Sequence, residues 1–93
     1  MSHYCYILRC ADQRYYVGAT RDLQRRLRDH QHGKVESTRL RQPVSLVYYE
    51  VFSEASEAYR RERALKNGRT RKATREQLIL NFPPARLNPF KRS

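Results

Sequence analysis

The length and composition of the chain point to one small folded domain. Its 93 residues can bury one modest core, and an apolar fraction of 39% is too high for a disordered chain. No apolar run approaches the roughly 20 residues that a membrane span needs. The first residues lack the basic and apolar segments of a signal peptide. We therefore expect a one-domain cytoplasmic protein.

The formal net charge of +11 indicates a polyanionic partner, since 20 Lys and Arg stand against nine Asp and Glu. Arg greatly outnumbers Lys, and the Arg side chain can grip phosphate with a planar, bidentate fork. A domain of this kind attracts nucleic acid by counterion release. A basic proteome or a ribosome-associated role would give the same charge, which separates neither DNA from RNA nor binding from catalysis.

Three apolar segments predict strands. Residues 4–9 and 15–19 are aromatic and β-branched and flank a polar turn, so they predict a hairpin. Residues 44–52 have the strongest strand pattern in the chain.

Amphipathic segments predict three helices, over about 21–31, 54–67 and 71–81. Thr20 and Ser53 are the expected N-terminal caps, and Gly33 and Gly68 the expected ends of the first two helices. A basic polar loop is expected to separate the first helix from the third strand.

The resulting order, β-β-α-β-α-α, predicts a small α+β domain over residues 1–82. Residues 83–93 are basic and contain proline, and we expect them to form a loosely ordered tail.

The two cysteines are expected to be free thiols. Cys5 and Cys10 have an odd spacing that would place them on opposite faces of a strand, and free thiols fit a reducing compartment. A zinc site built from them with His3, His30 or His32 lacks the usual ligand spacing.

Two tyrosines, Tyr6 and Tyr16, lie on the paired strands of the predicted hairpin and could face each other. Gly18 would let something approach the backbone closely, which in a strand often means a ligand. The alternative is ordinary stacking across the sheet, and in a chain with seven tyrosines such a pair is weak evidence by itself.

The first helix turns two polar side chains inward. Arg26 and His30 fall on or beside the apolar stripe that Leu23 and Leu27 define at 100° per residue. A buried arginine needs an ionic partner or a bound anion. The alternative is a structural ion pair with a satisfied helix-end histidine, and helix geometry alone favours that alternative.

The second predicted helix carries a carboxylate, Glu62, within the apolar stripe of Ala55, Ala58 and Leu65. This carboxylate could bind a hard divalent cation whose other ligands are water and substrate phosphate. It could equally pair with Arg26, and the pattern does not separate the two.

Taken together, the features resemble the GIY-YIG nuclease superfamily, in particular its small, single-domain bacterial (UPF0213-like) branch. The resemblance covers roughly residues 3–81. Its motifs, in chain order, are Tyr4-Cys5-Tyr6, Tyr15-Tyr16-Val17-Gly18, Arg26-Leu27 with His30, Pro43-Val44, Leu46-Val47-Tyr48, Arg61-Glu62, Leu65-Lys66 and Leu78-Ile79.

The sequence departs from the family pattern at several positions. Tyr4-Cys5 replaces Gly-Ile in the first motif, and Ala19-Thr20 follows the second, where members often carry a lysine or polar residue. Asn81 and Asn88 both compete for the asparagine that many members place after the third helix. No separate DNA-binding domain is visible, so the choice of target is unexplained.

The resemblance implies a three-stranded antiparallel sheet flanked by helices and metal-dependent hydrolysis of a phosphodiester. It implies that Tyr6 or Tyr16 orients or deprotonates the attacking water, aided by His30. An ordinary tyrosine has a pKa of about 10, so a base role needs help from a neighbour or the metal. It also implies that Arg26 holds the scissile phosphate and that Glu62 ligates one Mg²⁺ or Mn²⁺.

We therefore expect a structure-selective or repair-type DNA endonuclease, with DNA favoured over RNA. The alternative is a nucleic-acid-binding module of the same fold with weak or no activity, and a third is a protein-interaction domain whose inward charges pair. The basic residues expected to contact nucleic acid are Lys34, Arg39, Arg41, Lys66, Arg69, Arg71 and Lys72.

Overall fold

A three-stranded antiparallel sheet forms the centre of the computed structural model, which describes residues 2–67 and 71–90. Its strands are β1 (His3–Arg9), β2 (Tyr15–Thr20) and β3 (Ser45–Phe52), in the spatial order β2-β1-β3. The predicted α+β class and its antiparallel sheet are confirmed. β1 and β2 form the predicted hairpin.

Strand β1 is covered on both faces. Four consecutive side chains, Cys5 to Leu8, are buried, as expected for the central strand of a sheet packed on both sides. Tyr6 lies opposite Gly18 of β2 and Tyr49 of β3. Directly opposed residues point to the same face, so Tyr6 and Gly18 share one face while Cys5 belongs to the other.

The helices are α1 (Leu23–Gln31), α2 (Glu36–Arg39), α3 (Ala55–Lys66) and α4 (Arg71–Leu80), followed by a 3₁₀ helix over Pro84–Phe90. The loop predicted between α1 and β3 thus contains the short helix α2. Gly68, the expected end of α3, lies outside the described residues.

The C-terminal segment differs from the loosely ordered tail expected from its composition. Leu87 and Phe90 of the 3₁₀ helix pack against the core. The Tyr49 hydroxyl donates a hydrogen bond to the Arg86 carbonyl at 2.8 Å. Apolar side chains spaced along a basic segment supply the contacts that hold it. The division of the chain after residue 82 stays a prediction, and residues 91–93 lie outside the described ranges.

Helix α1 begins at Leu23, two residues later than predicted. Asp22 is the N-cap, and its carboxylate accepts a hydrogen bond from the Arg25 amide at 3.1 Å. The predicted cap, Thr20, accepts instead from the Asp22 amide, also at 3.1 Å. After the helix, Gly33 adopts a positive φ of 74°, which glycine tolerates and which suits a helix end.

The predicted cap of α3 is also wrong, because Glu54 rather than Ser53 occupies the N-cap position, without a side-chain capping bond. Ser53 Oγ instead donates to the Glu57 carboxylate at 3.4 Å.

Helices α1 and α3 each reach the sheet through a polar side chain. His30 of α1 contacts Tyr6, whereas Arg61 of α3 contacts Glu50, whose partner in the register is Cys5. Both cysteines are buried and free, as predicted. No helix in the described ranges is long and apolar enough to cross a membrane.

Candidate active site

A buried chain of three polar side chains joins β1, α1 and α2. The Tyr6 hydroxyl lies 2.8 Å from Nε2 of His30, and Nδ1 of the same imidazole lies 2.7 Å from the Thr38 hydroxyl. Tyr6 is 1% exposed, and the other two residues are 0% exposed. Both ring nitrogens of the histidine therefore have partners, which fixes the orientation of the ring.

The imidazole of this chain is neutral near pH 7. Burial, and after it the positive charge of Arg26, lowers the pKa of His30 from 6.5 to about 4, against a small opposing effect of Asp29. A neutral imidazole has one N–H and one bare nitrogen, so His30 donates one of its two hydrogen bonds and accepts the other.

Tyr6 is also neutral. Burial raises the pKa of Tyr6 far above its ordinary value of 10, and Arg26 only partly offsets this effect by donating a hydrogen bond to the phenol. The charges of Tyr16 and Glu62 add to the rise. The Tyr6 phenol therefore keeps its proton at any physiological pH.

Arg26 is half-buried beside the two phenols of the hairpin. Burial disfavours its charge, but hydrogen bonds and charges from Tyr6, and then Tyr16, outweigh that effect and raise the pKa of Arg26. Both tyrosines therefore lie close to the guanidinium of Arg26. Within the described ranges, the ion pairs made by arginine involve Arg41 and Arg61 rather than Arg26.

Tyr16 is the accessible member of the tyrosine pair. It is half-buried, and its ring lies 4.9 Å from the His30 ring and 6.3 Å from the Tyr6 ring, between centroids. The ammonium of Lys66 lies 5.8 Å from the centre of the Tyr16 ring. Tyr16 is therefore partly exposed, whereas Tyr6 is not.

Gly18 makes room for Tyr6 rather than for a ligand, contrary to the expectation from its place in a strand. A methyl group at Gly18 would overlap the Tyr6 hydroxyl and lie 2.5 Å from the ring carbon Cζ. The Tyr6 ring thus lies directly over the Gly18 backbone and occupies the space from which a side chain is missing.

Glu62 lies half-buried on α3, with its carboxylate 3.1 Å from the ammonium of Lys66. This i,i+4 pair differs from the Arg26 partner considered from the sequence. The pair engages Oε2 and leaves Oε1 for another ligand.

The donor set at Glu62 fits a lightly coordinated hard cation. No group of three or more His, Cys, Asp and Glu side chains that could hold a metal occurs within residues 2–67 and 71–90. A single carboxylate oxygen suits Mg²⁺ or Mn²⁺, which retain several waters and take further oxygens from a substrate phosphate. It does not suit zinc, which requires three or four protein ligands.

A second polar cluster, Tyr48, Glu50 and Arg61, begins on the face of the sheet opposite to Tyr6, because Tyr48 and Glu50 pair with Ile7 and Cys5. Arg61 Nε donates to both carboxylate oxygens of Glu50, at 3.0 and 3.2 Å, and the Tyr48 hydroxyl donates to the same carboxylate. This cluster ties α3 to β3 at the position immediately before Glu62.

Comparison with known proteins identifies the family to which the chain belongs. The profile described as the GIY-YIG catalytic domain matches residues 2–77. The chain belongs to the GIY-YIG family.

Its relatives are small proteins of the UPF0213 branch. A UPF0213 protein of Streptococcus pyogenes is 48% identical over 69 residues, which are 73% of this chain and 75% of the relative. A UPF0213 protein of Bacillus pumilus is 47% identical over 66 residues, or 70% and 67% of the two chains. Membership of the GIY-YIG family supports a nuclease role with a nucleic acid as substrate.

The fold is shared with a solved UPF0213 protein. The NMR structure from Bacillus halodurans matches with a TM-score of 0.55 and 37% identity, covering 91% of this chain and 90% of that one.

The basic residues predicted to contact nucleic acid in this GIY-YIG domain lie in different places. Arg41, Arg71 and Lys72 line a common groove. Lys66 lies at the tyrosine site, where it pairs with Glu62. Lys34 and Arg39 are exposed, one after α1 and one on α2. Arg69 lies outside the described residues.

Sequence reasoning did not single out Thr38, although it makes one of the two hydrogen bonds of His30. It lies in a segment predicted to be a loop, where no periodicity separates a buried residue from an exposed one. No motif marks Thr38 either, because it is one hydroxyl residue in a polar stretch of sequence. Only the packing of α2 beside α1 brings it to the histidine.

Proposed function

We propose that this protein is a divalent-metal-dependent endonuclease that hydrolyses phosphodiester bonds in DNA, of the structure-selective or repair type. The observation that carries the proposal is the position of Arg26, a half-buried guanidinium beside Tyr6 and Tyr16, which raise its pKa, and outside the ion pairs of the described residues. A half-buried cation anchored by neutral groups keeps its full charge for an incoming anion. A phosphodiester is the anion that the nucleic-acid substrate of the family provides.

In the proposed site, Tyr6, His30 and Thr38 are positioning residues. The Tyr6 oxygen accepts from Arg26 and its O–H donates to the bare Nε2 of His30, while Nδ1–H donates to the Thr38 hydroxyl. In this tautomer the Tyr6 oxygen can accept from Arg26 while its O–H has an acceptor in His30. Arg26 is then fixed where negative charge grows on the phosphate, so no reorganisation is needed during the reaction.

Tyr16 is the proposed contact with the attacking water. Tyr16 is partly exposed, whereas Tyr6 is 1% exposed and firmly protonated. The neutral imidazole of His30, 4.9 Å away between ring centroids, aids Tyr16 by holding the orientation of its ring. The choice left open between the two tyrosines therefore falls on Tyr16.

Glu62 is the proposed ligand of one Mg²⁺ or Mn²⁺. Such an ion, when bound, stabilises negative charge on the leaving oxygen and lowers the pKa of water. Lys66 screens the carboxylate before substrate arrives and can afterwards turn to a phosphate, since its side chain is half exposed.

Selectivity for structure rather than sequence follows from the type of contact available. The cations of the site and of the surrounding surface suit phosphates, and phosphate contacts fix position without reading bases. A domain of 93 residues with a charge of +11 would therefore distinguish DNA substrates by shape.

The test is a cleavage assay on nicked, branched, single-stranded and duplex DNA, with RNA counterparts, in Mg²⁺, Mn²⁺ or EDTA. Glu62→Gln and Arg26→Ala should each lower the rate by roughly 10²–10³-fold. Glu57→Gln on α3 and Arg25→Ala on α1 are the matched controls, because both residues are exposed neighbours on the same helices. The controls should cleave like the wild type.

Cleavage that persists in EDTA, or that Glu62→Gln leaves undiminished, would refute the proposed metal role. Absence of cleavage on every substrate, with salt-sensitive binding retained by Glu62→Gln, would favour the nucleic-acid-binding module instead.

A further inference from the structure

A basic groove lies between the β1–β2 turn, the approach to β3 and the start of α4. Its volume is about 590 Å³. We call it the turn groove, and its lining residues are Asp12, Gln13, Arg14, Tyr15, Arg41, Arg71, Lys72 and Arg75.

The one carboxylate among these lining residues is already engaged. Oδ1 of Asp12 accepts from the Arg14 amide at 3.0 Å, and Oδ2 accepts from Nε of Arg41 at 3.0 Å. These contacts lower the pKa of Asp12, the Arg14 amide having the largest effect, so it is ionised near pH 7. Asp12 compensates Arg41 and leaves the other cations of the groove without an acidic partner in its lining.

Arg75 has a donor that needs an acceptor. Its Nε is buried and has no hydrogen-bond partner among the residues that the structure describes. Burial, and then the charge of Arg71, lowers the pKa of Arg75. An unpaired donor and two neighbouring arginines in one groove are a costly arrangement that a bound anion would relieve.

The turn groove is separate from the Arg26 site. Tyr15 lines it, and Tyr15 precedes Tyr16 on β2, so the two rings point to opposite faces of the sheet. The guanidinium carbons of Arg9 and Arg75 lie 5.7 and 6.0 Å from the centre of the Tyr15 ring. This aromatic ring orders the two arginines at the groove and does not enter the proposed catalysis.

We propose that the turn groove is a second binding site, which holds backbone phosphates of the nucleic acid away from the bond that is cut. The identity of this ligand rests on the proposed function. Guanidinium forks bind phosphate oxygens in bidentate fashion, and three elements converge to present them. The groove thereby turns a general positive charge into a defined contact that orients the substrate.

Nucleic acid suits this groove better than a lipid surface. Binding at a membrane interface requires apolar side chains that enter the bilayer beside the cations. The lining of the turn groove is charged or polar apart from the Tyr15 ring, which Arg9 and Arg75 flank.

The experiment measures binding of the full chain to a short fluorescein-labelled DNA duplex in EDTA, over a range of salt concentrations. The test variant is Arg71→Gln/Lys72→Gln, in which both residues are exposed and their removal spares the core. The matched control is Arg25→Gln/Arg28→Gln, which removes the same charge from the exposed side of α1. Arg75→Gln and Arg75→Lys form a second pair that separates charge from shape.

The test variant should bind roughly tenfold more weakly for each phosphate that it no longer neutralises at about 0.1 M salt, and the slope of log K against log salt should become shallower by about 2. The control should bind more tightly than the test variant and keep more of the slope. Arg75→Gln should weaken binding, and Arg75→Lys should restore part of it. Thermal unfolding of each variant verifies that it is folded.

Equal reductions of affinity in the test and control variants would overturn the proposal, because net charge alone would then explain binding. So would groove-dependent binding to phosphatidylcholine vesicles containing phosphatidylserine, with none to DNA. EDTA prevents metal-dependent cleavage, so binding is measured separately from activity. If DNA binding depends on the groove but the protein never cleaves, the groove proposal stands and the endonuclease proposal is refuted. If the protein cleaves DNA but the groove variants bind as tightly as the wild type, the endonuclease proposal stands and the groove proposal is refuted.

Discussion

Two three-residue polar clusters flank the sheet, and their difference shows how burial sets charge. In the first cluster Tyr6, His30 and Thr38 are almost completely inaccessible and form a neutral hydrogen-bonded chain. The second cluster, Tyr48, Glu50 and Arg61, contains an ion pair with a half-buried guanidinium and carboxylate. Each cluster begins at a tyrosine of the sheet and reaches a helix.

The tyrosines of the two clusters, Tyr6 and Tyr48, both have raised pKa values, but their charged neighbours act in opposite directions. Burial dominates in both and raises the pKa of each phenol. The Glu50 carboxylate raises the pKa of Tyr48 further, whereas Arg26 opposes the rise at Tyr6. The inaccessible cluster avoids charge because desolvating an ion would cost more than its partners return, while partial exposure lets the other keep an ion pair.

The largest effect on stability should come from Gly18→Ala, which tests whether the Tyr6 ring can move to admit a methyl group. The new methyl group would overlap the Tyr6 ring, which is 1% exposed and cannot move outward. We expect a loss of about 3 kcal/mol or more in the free energy of unfolding. Urea denaturation measures it.

A double-mutant cycle checks the cause of that loss. In a Tyr6→Leu background, which removes the hydroxyl and Cζ that the methyl group would meet, Gly18→Ala should cost clearly less. The same loss in both backgrounds would contradict the steric explanation and point to the strand backbone instead.

The second largest effect should come from lowering the pH, which destabilises the cluster that contains His30. The pKa of His30 is lower in the folded protein, about 4, than its ordinary value of 6.5. The unfolded chain therefore binds more protons between these values, so the contribution of His30 is complete above about pH 6.5 and is lost as the pH falls towards 4. The loss should amount to at most about 3 kcal/mol, measured by urea denaturation across this pH range.

His30→Gln should flatten this part of the pH dependence, and His3→Gln, a change on β1 that keeps the buried imidazole, should retain it. A wild-type protein whose stability is constant between pH 6.5 and 5 would contradict the lowered pKa of His30. An NMR titration of the imidazole would give the same answer directly.

The smallest effect should come from Glu50→Gln, which breaks the charged cluster. We expect a loss of about 1 kcal/mol, because the Glu50–Arg61 pair is partly exposed to water. The loss should shrink in about 1 M salt, which screens an exposed pair. Glu54→Gln, an exposed residue before α3, is the control and should change the stability little. A salt-independent loss would mean that shape rather than charge holds Arg61.

The regular parts of the fold could be predicted from the sequence because their signals are local. Alternation of aromatic and β-branched residues predicted the three strands, and the stripe of Leu23, Leu27 and His30 predicted the buried face of α1. The helix caps were misplaced because hydroxyl and carboxylate residues cluster at each start, and the sequence does not say which one bonds the first free amide.

By itself, the sequence determined a small basic α+β domain, its family motifs and the inward positions of Arg26 and His30. The tertiary structure alone decided that Gly18 accommodates Tyr6, that Thr38 meets His30, and that the β1–β2 turn and α4 share a groove. The physical reason is the separation of the contacting residues along the chain. Periodicity reports the faces of single elements, whereas these contacts join distant residues and depend on strand register and on how helices pack.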